Sequence, residues 1–437
     1  MIRLVIASGL VLVVMGCSAL EVGDPFTTPG SPASTTVPAV STTSASTTSV
    51  PTTTTTTTPP ARFDGVVVSD EGVPVRGVVV QIGDVSTVGG SDGTFVLESV
   101  GGGLISVSKP GWVGVEVSWD GTDVVSTIEM SRRTIRGLHI AGSAAGSDEA
   151  FTDLLELAAD TAVNAFVFDT KQEGGTVLYD TSVSEAHDIG AVDVTYDAAS
   201  RVAQAHYAGL YTITRIVTFE DRHRANARPE EKFAGPWVDP RSQAARDYNI
   251  ALGVEACSLG FDEIQYDYVR FPSGKTARAS GQLDLTQSER VGAISGFLAE
   301  AREQLEPMGC AVSADIFGIV VSTPDDQGLG QRPEELSEQL DAISPMVYPS
   351  HYSLGWLGYA DPNDYPYEVT ANAIEAALPR LSPGTALRPW LQSFWWTNAQ
   401  IREAIQAAED RGVGWMMWNV VSNFDKSALP TDDEVGD

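Results

Sequence analysis

The chain has 437 residues and a formal charge of −31, with 27 Lys and Arg against 58 Asp and Glu. That length exceeds one small core and calls for two folded domains with additional segments. An acidic chain without a basic run argues against nucleic acid and anionic membrane surfaces as partners, and leaves neutral substrates open.

At the N-terminus Arg3 precedes the apolar run LVIASGLVLVVMG. The run is shorter than the ~20 residues a membrane span needs and reads as an export signal. It ends in VVMGCS, small residues directly before Cys17, which resembles the bacterial lipoprotein cleavage box. Residues 1–17 are therefore expected to be a lipoprotein signal peptide with Cys17 as the lipidated residue. The competing reading is a plain signal cut near Ala19. The expected location is the outer face of the cell membrane, on a lipid anchor.

Residues 18–61 form an expected linker, whose part TTPGSPASTTVPAVSTTSASTTSVPTTTTTTTPP is uncharged and rich in Thr, Ser and Pro. Such a stretch cannot build a core. Extended at ~3.1 Å per residue, it reaches on the order of 100 Å. Residues 62–131 then read as short strands with Gly-rich turns, DGVVVSD, RGVVVQIG, GTFVLESV, LISVSKPG and GVEVSW, the pattern of a small all-β sandwich. The stretch GVPVRGVVVQIGD followed by GTFVLESVGGGLISVSKPG resembles carboxypeptidase regulatory-like domains, which implies a spacer or adhesion role and no catalytic residues.

From residue 132 to about 430, strands alternate with helices. Eight strands are expected: RGLHIAG, AFVFDTK, YTITRIVTF, DEIQYDYVRF, AVSADIFG, AISPMVYP, LRPWLQSF and GWMMWNV. Thr286 with Glu289, and Thr397 with Gln400, form capping boxes ahead of apolar residues at helical spacing, and Gly412 stops the second helix. Eight βα units in this length give an α/β fold, a (β/α)8 TIM barrel. An open doubly wound sheet would need a G-x-G-x-x-G after its first strand, and none occurs.

In such a barrel, axis-facing positions near the carboxyl ends of the strands form the active-site cup. In EIQYD, alternation turns Ile264 and Tyr266 outward and Gln265 and Asp267 toward the axis. In AVSADIFG, Ser313 and Asp315 share that inward parity. Neighbouring strands lie ~4.8 Å apart, so Asp267 and Asp315 can approach the carboxylate separations of glycosidases. Asp169 and Lys171 close the second strand as further polar residues at the open end. Arg215 is a charge within an apolar third strand and needs a carboxylate partner, Asp169 or Asp267. Asp262 and Glu263, at the strand entry, read as structural ion-pairing residues. Tyr348, His351, Tyr352, Trp395, Trp396, Trp418 and Asn419 add rings and polar edges suited to sugars.

The blocks VNAFVFDTKQEGGTVLYD, LYTITRIVTFED, GFDEIQYDYVRFPS, SADIFG, ISPMVYPSHYSLGWLGYADPNDYPYEV, LRPWLQSFWW and GWMMWNVVSN resemble those of a bacterial family of glycosyl hydrolase-like domains of unknown function. The resemblance covers about residues 134–424. It implies a TIM barrel acting on polysaccharide and points to Asp169, Lys171, Arg215, Asp267, Arg270, Asp315, Tyr348, His351, Trp390, Gln392 and Trp418. His139 departs from the family's more usual aromatic residue at that position.

The leading expectation is a surface-anchored monomeric glycoside hydrolase, with Asp267 as nucleophile or base and Asp315 as general acid. In a variant of this assignment Asp169 replaces Asp315. Lys171 and Arg215 would keep Asp267 ionised, and Arg270, Tyr348, His351, Gln392, Trp395, Trp418 and Asn419 would contact substrate. A non-catalytic, glycan-holding lipoprotein is the alternative, and a metal-dependent deacetylase a weaker one. No cofactor or metal is expected: the five His are scattered, and Asp361 to Asp364 reads as a turn rather than a calcium loop. Cys257 and Cys310 each close a helix before a strand at one end of the fold, and either pair or remain free thiols.

Overall fold

From Arg136 onward every expected strand forms, and together they close. The computed structural model describes residues 61–122, 125–280 and 284–436. The expected signal peptide, Cys17 and all but one residue of the linker lie outside the described residues.

The N-terminal part has seven strands: β1 (Ala61–Ser69), β2 (Val79–Ile82), β3 (Val85–Val88), β4 (Thr94–Val100), β5 (Gly103–Ser108), β6 (Val115–Trp119) and β7 (Val125–Met130). They form two sheets, ordered β4-β1-β7 and β3-β2-β5-β6. Alternating Phe63, Val67, Val80, Phe95, Ile105 and Val107 point between the sheets and are buried, the pattern a two-layer β domain requires. β3 and β7 are additions to the expected set. β3 is largely exposed on both faces, so it carries no alternation signal.

The second part holds β8 (Arg136–Ile140), β9 (Ala165–Lys171), β10 (Tyr211–Val217), the small hairpin β11 (Lys232–Ala234) and β12 (Trp237–Val238), then β13 (Glu263–Asp267), β14 (Ala311–Phe317), β15 (Ala342–Val347), β16 (Ala386–Leu387), β17 (Trp390–Gln392) and β18 (Trp415–Trp418). The large sheet runs β14-β13-β10-β9-β8-β18-β17-β15-β16, and β14 also pairs with β15, which closes an eight-strand parallel barrel. β16 and β17 are two pieces of one strand. They flank Pro389, which has no N–H to give to a neighbour.

The helices pack outside as their caps and spacing dictate. Thr286 caps the helix Gln287–Leu305, which buries Val291, Ile294, Phe297 and Leu298. Thr397 caps Asn398–Glu409, which buries Ile401, Ala404 and Ile405. Full burial of each Leu, Ile or Phe contributes ~1.5–3 kcal/mol. Cys257 lies in the last turn of the helix Gln243–Ser258 and is joined by a disulfide to Cys310, 53 positions further along the chain, with Cα atoms 6.1 Å apart. Closing a loop of that length contributes about 4 kcal/mol in the chain-entropy picture.

The β domain packs against the amino ends of the barrel strands. Lys109 pairs with Asp341 at 3.0 Å, and Arg76 donates to the Leu340 carbonyl at 2.8 Å; both acceptors immediately precede β15. Arg133 donates to the Gly209 carbonyl just before β10. At this same end Glu263 takes the structural role expected of it, accepting from Arg388 at 2.5 Å and from Tyr211 at 3.0 Å. Asp262 accepts from Thr212 and faces His206. The carboxyl ends of the strands are left free for a site.

Candidate functional site

β13 behaves as alternation requires. Tyr266 points outward, its ring 4.9 Å from Phe297 on an outer helix, while Gln265 reaches inward to Met416 and Ser344 across the axis. Asp267 is the last residue of the strand. The next residue, Tyr268, has φ 50, a left-handed conformation that costs ~1–2 kcal/mol in a residue with a Cβ. The bend lets the Tyr268 N–H donate to Asp267 Oδ1 at 2.5 Å and turns the chain into the wall of the cup.

Arg215 organises this end of the barrel. Its guanidinium is 1% exposed and lies 4.6 Å from the centre of the Trp418 ring. It donates to Asp267 Oδ2 from Nε at 2.9 Å and from Nη2 at 2.6 Å. Nη1 reaches Asp169 Oδ1 at 2.7 Å, and Nη2 also reaches Glu173 Oε1 at 2.6 Å. Burial alone would pull the Arg215 pKa down, but Asp267, Glu173 and Asp169 hold it well above its ordinary value. Both carboxylate partners expected for Arg215 are therefore present, with Glu173 as a third. Asp169 is also held by His139 Nε2 at 2.9 Å. Burial raises its pKa, but the charges of His139 and Arg215 outweigh this and hold it at about 2.

Asp315 faces the axis as its parity requires, and its carboxyl accepts from Trp390 Nε1 at 2.7 Å. Oδ2 is buried, has no hydrogen-bond partner among the described residues and lies 4.0 Å from Arg215 Nε. Burial, then the Asp267 charge, pushes its pKa well above the ordinary carboxyl value. The sign of the linkage gives a test. A carboxyl protonated when folded but ionised when unfolded costs nothing below the unfolded value of about 3.9. Above it, the fold loses ~1.4 kcal/mol per pH unit until the folded value is reached. Asp315→Asn, which resembles the neutral acid, should melt with the native protein near pH 4 and several degrees higher at pH 6–7. A variant that melts lower throughout that range contradicts a neutral Asp315.

Above this cluster opens a cavity of about 550 Å³, within the usual range for small-ligand sites. Its wall includes Glu173, Arg215, Asp267, Arg270, Tyr348, His351, Tyr352, Trp356, Trp390 and Trp418. Asp267, Arg215, Arg270, Tyr348, His351 and Trp418 are thus brought together as expected. Asp169 and Asp315 lie behind the wall rather than on it.

Lys171 corrects the sequence reading. Its Nζ pairs with Asp221 at 2.8 Å and donates to Asn249 at 2.9 Å on an outer helix, so it does not reach Asp267. The β9–β10 register slips after Arg215↔Asp169, with Ile216 opposite Lys171. This bulge spends Thr170 and turns Lys171 outward.

Three other expected contacts also lie off the cavity wall. Gln392 is buried and braces the loop after β15 by accepting from Ser350 Oγ at 2.8 Å. The Asn419 side chain accepts from the backbone of Val421 and Asn423 within a turn. Trp395 is 81% exposed on the rim. Its ring joins a row from the cavity, Tyr348 to Phe394 at 5.5 Å and Phe394 to Trp395 at 5.1 Å. Asp361 forms a turn by accepting from the Asn363 N–H, and among the described residues no group of three or more His, Cys, Asp or Glu is arranged to hold a metal ion.

Glu173 is the residue the sequence reading missed. It lies two positions beyond β9, and Gly174 and Gly175 after it take φ 83 and 89, turning the chain back sharply. The signal was a carboxylate between a strand end and a Gly-Gly turn at the open face.

The family described as "Putative glycosyl hydrolase domain" matches residues 137–424. Among solved structures, a hypothetical protein from Ruminiclostridium thermocellum is 34% identical over 42% of this chain and 99% of its own, with a TM-score of 0.36. The glycoside hydrolase domain of PgaB (BpsB) from Bordetella bronchiseptica is 11% identical over 68% of this chain and 97% of its own, at 0.50. That of PelA from Pseudomonas aeruginosa is 10% identical over 67% and 98%, at 0.40. The second of these shows the shared barrel fold. No curated protein matches the chain.

Proposed function

The chain belongs to the family of glycosyl hydrolase domains that matches residues 137–424, and from that premise we propose that it cleaves glycosidic bonds in an envelope or extracellular polysaccharide. The observation that carries this reading is the pair of carboxylates on the cavity wall. Glu173 Oε1 and Asp267 Oδ2 are each 2.6 Å from the same Arg215 nitrogen, so they can be no farther apart than twice that distance. This fits the ~5–5.5 Å of retaining glycosidases better than the ~6.5–9.5 Å of inverting ones.

In this proposal Asp267 is the nucleophile. It is fixed by two hydrogen bonds from Arg215 and one from the Tyr268 N–H, which aim one carboxylate at the cavity and leave it little freedom to rotate. Glu173, with 45% of its side chain exposed to solvent, must take a proton from water before each turnover; in that form it gives the proton to the leaving oxygen, and it recovers a proton from the water that attacks the glycosyl-enzyme. Asp315, whose pKa burial and the Asp267 charge raise, lies beneath them, and in its protonated form adds no further negative charge to those of Asp267 and Asp169. A glycan-holding protein without catalysis is disfavoured by the closeness of the two wall carboxylates. The test is incubation of the whole chain with cell-wall and capsular polysaccharides, with new reducing ends as the readout. A complete panel without release over background removes the proposal.

The location proposed with it rests on the sequence alone: Cys17 carries lipid, and residues 18–60 tether the folded part outside the membrane. Cells expressing the protein should label it with radioactive palmitate, and Cys17→Ser should abolish the label. Equal labelling of the variant rejects the anchor.

A further inference from the structure

Seven arginines are buried among the described residues, and six of them are neutralised in the same way. Arg136, Arg201, Arg215, Arg224, Arg290 and Arg388 each have a carboxylate oxygen within 2.8 Å. Arg270 is the seventh. It is 5% exposed, and among the described residues no carboxylate lies within the 4 Å of an ion pair. Among the described residues its guanidinium donates from Nη1 to the Phe271 carbonyl at 3.1 Å, and Nε meets no acceptor.

Aromatic rings surround the guanidinium instead. Its carbon is 4.2 Å from the ring centre of Phe317, 4.6 Å from Trp237 and 5.0 Å from Tyr268. Ring faces attract a cation but do not replace the hydrogen-bond acceptors lost on leaving water. Burial lowers the Arg270 pKa only to about 10, so the group is positive at neutral pH. Arg270 also lines the proposed glycan cavity beside Asp267. The protein thus holds a planar cation at the site wall with no carboxylate partner among the described residues, and its charge is left to be balanced from the cavity side.

We infer that Arg270 receives an anionic substituent of the substrate, so that the glycan bound here carries a carboxylate, sulfate or phosphate on the sugar that lies beside Asp267. This rests on the reading of the cavity as a glycan site. A planar guanidinium matches such oxyanions through paired N–H donors. It also selects against neutral sugars, which leave the buried charge uncompensated.

The experiment measures affinity by quenching of tryptophan fluorescence, since Trp356, Trp390 and Trp418 all line the cavity. The probes are a uronic-acid oligosaccharide, its carboxyl-reduced neutral counterpart, a sulfated oligosaccharide of the same length and a phosphate-bearing one. Native protein should bind at least one anionic probe roughly 10- to 100-fold tighter than the neutral one, the range of a charge-assisted hydrogen bond. Which anion gains most identifies the substituent. Arg270→Gln should remove the preference, bringing the anionic and neutral probes to similar affinity, and Arg270→Lys should restore part of it. An unaltered preference in Arg270→Gln, or equal binding of all probes by native protein, overturns the inference. Cleavage is read separately: a lost preference without any cleavage keeps the inference and sinks the hydrolase, whereas cleavage with an unaltered preference does the reverse.

Discussion

Asp267→Asn should lower turnover of any responsive glycan by about 10⁴-fold, while the variant stays folded. Losses of this size follow removal of a group that acts only in the transition state. Asparagine keeps the shape of the side chain and can still accept one hydrogen bond from Arg215, but it cannot form the covalent bond to the sugar. The fold should survive because Arg215 keeps two other carboxylates, Asp169 at 2.7 Å and Glu173 at 2.6 Å. A modest fall in melting temperature is expected, smaller than the ~3–5 kcal/mol of a buried pair left with no partner. Initial rates of reducing-end release and thermal melts, run on one preparation, separate the two effects. Turnover equal to the native protein removes Asp267 from the mechanism.

Glu173→Gln should show a loss that depends on the leaving group. For a natural polysaccharide, whose leaving alcohol must be protonated, the expected loss is about 10²- to 10³-fold, as for removal of a general acid. With an aryl glycoside bearing a nitrophenol, bond breaking needs no proton and the first step should remain near the native rate. Water attack then lacks its base, and the glycosyl-enzyme accumulates. If Glu173 serves only to neutralise Arg215, both substrates should lose activity equally. The ratio of the two losses therefore reports the role, independently of any general disturbance of the site.

Much of the barrel was legible because its cues are local and repeated. Alternation in EIQYD and SADIF, two capping boxes and apolar residues at helical spacing each state which face of an element is buried. Arg215 was legible by charge alone, since a guanidinium inside YTITRIV cannot be left unneutralised. The differences between expected and observed placement lie where periodicity ends. At Thr170 a bulge interrupts the two-residue alternation, and nothing in AFVFDTK marks it, so Lys171 was assigned to the wrong side. Glu173, Gln392, Trp395 and Asn419 sit at or beyond strand ends. There, loop geometry decides where a side chain points, and a residue one position too far leaves the cavity for the rim. Asp315 was placed on the correct face, but its depth depends on the Trp390 indole, which comes from a strand 75 residues away in sequence.

In the proposed mechanism Asp267 and Glu173 act as one carboxylate pair on a glycosidic bond. Its most direct test is the mass of the peptide containing residues 260–272 after Glu173→Gln has been mixed with an aryl glycoside of the responsive sugar and quenched in acid. A glycosyl adduct is expected on Asp267, and it should disappear in the double variant with Asp267→Asn. An adduct on a different carboxylate, or steady turnover by Glu173→Gln with this peptide unmodified, would contradict it.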